Sequence, residues 1–178
     1  MSPKTKNTHF VAYTAVLLAL LVGLQFVTKA FGQFVTGSCV NLILAVAAIC
    51  CGPACGLTVA LLSPFFAFLL GIGPAFIQIV PFIAVGNAVY VMLIDAIFRK
   101  NKGERDRALS FAAIGAAALC KFTVLYALAA KVLVPSLGLP EAKAAVVSAS
   151  FSWPQLVTGL TGGLLAAEIS PVVKKAMK

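Results

Sequence analysis

Lys121 stands in the run Leu119-Cys120-Lys121-Phe122, deep in an apolar stretch, and is the side chain with the most chemistry to offer. An ammonium near the middle of a bilayer costs roughly 2.5 to 3.5 kcal/mol on insertion scales, so it must face a polar cavity or a partner group. It would either hold an anionic group of a ligand, or snorkel or bond a buried carbonyl. Side-chain amides stand in other apolar stretches. Asn41 and Asn87 are deep, whereas Gln33, Gln78 and Gln155 come early in Gln33-Phe34-Val35-Thr36-Gly37, Gln78-Ile79-Val80 and Gln155-Leu156-Val157-Thr158-Gly159. A carboxamide both donates and accepts, so three of them converging on one pocket would suit an uncharged polar or heterocyclic solute. Chance similarity between Val- and Leu-rich segments is the competing explanation, and interhelical hydrogen bonding is the commonest use of a buried asparagine. Trp153, Tyr126 and Phe76 offer stacking faces at the mouth, although Trp and Tyr at a membrane interface ordinarily serve as anchors.

Other chemistries are missing. No Gly-x-x-x-x-Gly-Lys-Ser/Thr loop is present to cradle a nucleotide phosphate. That absence excludes a pump with its own ATPase, and Asp95 and Glu168, both toward the ends of apolar segments, disfavour a proton-coupled carrier. Paired carboxylates are absent, so no catalytic residue is assigned and the chain is not read as an enzyme. The cluster Cys50-Cys51-x-x-x-Cys55 could hold a metal, but the single histidine is the distant His9. These cysteines, with Cys39 and Cys120, read instead as small packing residues. Gly71-Ile72-Gly73-Pro74 reads as a tight turn at the pocket rim.

The elements that must position these residues are membrane helices. Of the 178 residues 61% are hydrophobic and 11% charged, with a mean hydropathy of +1.04, values outside the range of a soluble domain. A span needs about 20 apolar residues, which predicts an all-α integral membrane protein. It would be one compact bundle of six transmembrane helices over about 10–30, 35–51, 54–70, 75–98, 108–134 and 151–169. A short interfacial helix is expected at 141–148, Pro81 as a kink, and the charged start as part of a retained first helix. With both termini cytosolic, the inner face carries Lys4, Lys6, Arg99, Lys100, Lys102, Arg105, Arg107, Lys174, Lys175 and Lys178. The outer face then has Lys29, Lys131 and Lys143. This is a strong positive-inside bias. The net charge of +9 therefore reads as topology and lipid anchoring, with no nucleic acid implied.

The first helix carries Ala12, then Ala15, Ala19 and Gly23 at intervals of four. Small residues on one face let another helix approach closely in lipid. That helix belongs either to this chain or to a partner.

These features, with Ala15-x-x-x-Ala19 and the segment running from Leu62-Ser63-Pro64 through Gly71-Ile72-Gly73-Pro74 to Pro81-Phe82-Ile83 and Gly86-Asn87, resemble the substrate-binding S components of energy-coupling factor (ECF) transporters. The resemblance implies a membrane subunit in a bacterial plasma membrane. It would capture a small water-soluble vitamin or related micronutrient from outside and dock Ala15 and Ala19 on a transmembrane coupling protein. Two cytosolic ATPases would use ATP to drive release inward, and the chain itself would bind no cofactor. The competing readings are an autonomous homo-oligomeric channel or carrier using the same small-residue face, and a membrane scaffold without a ligand.

Overall fold

The computed structural model describes residues 3–73, 76–100 and 107–177. Among them the chain is helical, with no strand. Helix α1 (Pro3–Thr28) passes through a tight 3-10 turn, Lys29–Phe31, into α2 (Gly32–Val46), which widens into a π-helical turn at Ala47–Cys51. Then come α3 (Pro53–Leu69), α4 (Val80–Lys100) and α5 (Arg107–Leu125), the last widening into π-helical turns over Tyr126–Leu133. Short α6 (Val134–Ser136) and α7 (Glu141–Ser150) lead into α8 (Trp153–Ala176). Among the described residues four apolar helical runs are long enough to cross a bilayer: Asn7–Cys51, which takes in most of α1 and all of α2, Ile77–Arg99, Leu109–Ser136 and Glu141–Ala176. Pro53–Leu69 is a shorter apolar helix.

Local chemistry sets the boundaries. Gly52, at φ +87°, turns the chain sharply between the π-helical turn and α3, and Pro53 opens α3, where a missing N–H costs nothing. Pro81, expected as a kink, is the second residue of α4 and so starts that helix instead. The fourth helix accordingly begins at Val80 rather than near 75, after an extended Phe76 and a 3-10 turn over Ile77–Ile79. Pro74 of the expected rim turn lies outside the described residues, as do Lys102, Arg105 and Lys178. Lys4, Lys6, Lys100 and Arg107 are placed only by their helices.

Helix α8 packs against α2 and α5, and glycines set the spacing. A Cβ on Gly162 would stand 2.6 Å from the Leu42 backbone nitrogen and the Ser38 carbonyl oxygen, and one on Gly163 would meet Ile114 at 2.5 Å. At the end of the bundle that holds the α2–α3 turn and the C-terminus of α8, the interior is dry and close-packed. Leu21, Leu44, Val59, Val91, Ile94, Ala117 and Ala166 form its core. At the other end a smaller apolar cluster of Ile79, Leu125, Ala129 and Phe151 backs a cavity.

Candidate functional site

That cavity, about 330 Å³, is walled by the ends of α1, α3 and α5 and the beginnings of α2, α4 and α8, with α7 along one side. Of the eight binding candidates, Gln33, Asn41, Asn87, Lys121 and Gln155 line it. Lys121 is 2% exposed, and its Nζ donates to Asn41 Oδ1 at 2.6 Å and to Asn87 Oδ1 at 2.7 Å. It also stands over the Tyr90 ring, 5.4 Å from the centroid. The amides are held in turn. Asn41 Nδ2 donates to the Gly37 carbonyl at 2.9 Å and to Thr158 Oγ1 at 3.2 Å, which fixes Asn41 Oδ1 toward the lysine. Tyr90 donates its hydroxyl to the Gly159 carbonyl at 2.7 Å. One polar knot thus ties α2, α4, α5 and α8 together directly above the dry core.

Toward the mouth, Gln155 donates to the Ser150 carbonyl at 3.0 Å, joining α8 to α7. Gln33 is exposed at the start of α2. The walls between are largely apolar, with Pro64, Ala67, Phe76, Ile83, Leu125 and Phe151.

The remaining candidates lie off the lining. Gln78 is exposed on the 3-10 turn before α4. Trp153 is 60% exposed, its ring 5.4 Å from that of Phe34. Tyr126 stacks on Phe122 at 5.8 Å, with Lys131 Nζ 5.2 Å from its ring centroid. Only two of the three expected glutamines therefore share the cavity. Phe76, the third stacking candidate, does line it.

Gln25, Ser63 and Ser150 also line the cavity, and sequence reasoning did not single them out. Gln25 is the telling one, because its Oε1 is buried without a hydrogen-bond partner. The signal for it was present: it is the one carboxamide within the apolar run of α1. At 100° per residue it falls about 120° around the helix from the centre of the Ala15, Ala19 and Gly23 stripe, off that face.

The small-residue stripe points away from the bundle. Ala12, Ala15, Ala19 and Gly23 are exposed, and a Cβ on Gly23 would meet nothing within 4 Å. Helix α1 packs on α2 and α3 through its other side, with Thr14 and Leu21 buried. The stripe therefore does not serve packing within the chain. Cys50 and Cys55 do pack inward, Cys50 with its sulfur 3.7 Å from the Ser170 carbonyl oxygen. Among the described residues no three His, Cys, Asp or Glu side chains come together as a metal site.

No curated protein and no solved structure matches the chain. A model of the family described as the ECF transporter substrate-specific component matches residues 14–174, which hold Ala15, Ala19 and Gly23, the amide and lysine knot and every cavity wall. The protein is thus a multi-pass membrane protein belonging to the substrate-specific components of ECF transporters.

Proposed function

We propose that this chain captures a small water-soluble vitamin or related micronutrient in the cavity above Lys121 and delivers it inward as the binding subunit of an ECF-type importer. In this reading six helices cross a bacterial plasma membrane, both termini are cytosolic and the cavity opens outward. The observation that carries it is a pocket with a polar floor resting on a packed core. Such a site holds a solute, and the dry half beneath it leaves no path through the single chain. Charge supports the direction. Lys29, Lys131 and Lys143 belong to the elements at the cavity end, whereas Arg99, Lys174 and Lys175 lie at the other, which the positive-inside rule assigns to the cytosol.

Transport from such a site needs the bundle itself to be moved. The exposed stripe of Ala15, Ala19 and Gly23 suits close docking on a transmembrane coupling protein driven by two ATPases, since this chain has no nucleotide loop. The test is uptake of radiolabelled water-soluble vitamins, one at a time, into liposomes containing this chain, the coupling protein and the ATPases. Ala15→Leu or Ala19→Leu is expected to lower ATP-driven uptake at least tenfold, with the Kd of the bound vitamin unchanged within twofold. Loss of binding in a folded variant would count against docking. Uptake by the chain alone, without ATPases, would favour the autonomous carrier.

A further inference from the structure

The cavity lining contains one formal charge, that of Lys121, and no Asp or Glu among the described residues. An ammonium has three N–H donors. Two go to Asn41 and Asn87, both through neutral oxygens, and among the described residues the third has no hydrogen-bond acceptor, the Tyr90 ring centroid standing 5.4 Å from Nζ. Asp95, a buried carboxylate, is paired with Arg99 at 3.2 Å and does not line the cavity. A charge taken out of water is stabilised by a counter-charge, and here the protein supplies none. On a different helix, α1, the buried Gln25 Oε1 is an acceptor without a donor. Among the described residues Thr14 Oγ1 is in the same state but lies off the cavity, whereas Gln25 lines it.

Resting on the reading of this cavity as the substrate site, we propose that its ligand is a small organic anion that also carries an N–H or O–H donor. The anionic oxygen accepts the free N–H of Lys121, and the donor group bonds Gln25 Oε1. The apolar walls, Phe76 and Phe151 among them, take the ligand's ring or alkyl body. A volume of about 330 Å³ is at the small end of ligand pockets, which limits the ligand to a modest metabolite. Gln25 then gives α1 two roles, reading the ligand from one face and presenting the small-residue stripe on another.

The test uses a polar metabolite extract of the native host, separated on an anion-exchange resin into an anionic pool and a pool of neutral and cationic species. Each is dialysed against the purified chain in lipid nanodiscs, and the protein-bound species are identified by mass spectrometry. The expected result is enrichment of a species from the anionic pool. Its Kd should rise at least tenfold in Lys121→Met and in Gln25→Glu, and about fivefold in Gln25→Leu, with ligand-free melting temperatures used to confirm folding. Because the pool that supplies the ligand is read on the unmodified protein, the result stands even if a variant misfolds. Enrichment from the neutral and cationic pool alone would overturn the anionic class and leave the chain a solute-binding subunit. Enrichment from neither pool would overturn both. An anion whose Kd is unchanged in folded Lys121→Met and Gln25→Glu would overturn the assignment of these contacts.

Discussion

At the scale of single residues, the lysine and its two asparagines form a mutual arrangement. Asn41 is held by Gly37 and Thr158 so that its oxygen is presented to Lys121. Asn41→Leu would remove that oxygen and leave Thr158 and a buried ammonium short of a partner. A buried donor left unsatisfied costs about 1–3 kcal/mol, so the melting temperature in detergent is expected to fall while Trp153→Ala, on the exposed start of α8, leaves it nearly unchanged. A wild-type melting temperature in Asn41→Leu would show that Lys121 does not depend on this contact. The members of this knot were legible in the sequence because a polar side chain in an apolar run must be answered by something. Their bonding to one another was not, since it depends on how α2, α4 and α5 are rotated about their axes, and no residue type encodes that. Tyr126, Trp153 and Gln78 show the same limit from the other side: polar or aromatic tips near the mouth, turned outward or stacked on neighbours rather than into the cavity.

At the scale of elements, α8 can approach α2 closely only because Gly162 offers no side chain there, while the adjacent Gly163 does the same toward Ile114 of α5. Gly162→Ala would place a methyl against the α2 backbone, which has no flexible end to yield. Overpacking of this kind costs about 1–3 kcal/mol. The variant is expected to melt at a lower temperature and, by pushing α2 outward at Asn41, to weaken binding. Gly23→Ala, with open space around it, should do neither. Equal melting of the two variants would contradict the close approach. Helix existence was read correctly from apolar runs, and the Gly52-Pro53 stop from turn chemistry. The widening of α5 over Tyr126–Leu133 was not, because a π-helical turn is built from the same apolar residues as a regular one and arises from what packs around it. The role of α1 was hidden for a different reason. Spacing identifies a face of small residues, but only packing decides whether that face is used by this chain, and α1 rests on α2 and α3 by its other side.

At the scale of the whole molecule, the bundle has two unlike halves, one dry and one hollow, and the hollow half carries a positive charge that the protein leaves uncompensated. The consequence is electrical. If the cavity faces outward and takes an anion, as proposed, the ligand descending from the mouth to Lys121 crosses part of the membrane potential. The full drop is worth about 2.3 kcal/mol per elementary charge per 100 mV. A site a third of the way across would therefore lose about 0.8 kcal/mol of affinity for a monoanion at 100 mV inside negative, roughly a fourfold rise in Kd. Reversing the potential in oriented proteoliposomes should tighten binding by the same factor, and a neutral ligand should respond to neither sign. The slope of log Kd against voltage would then measure, in fractions of the membrane field, how deep Lys121 sits.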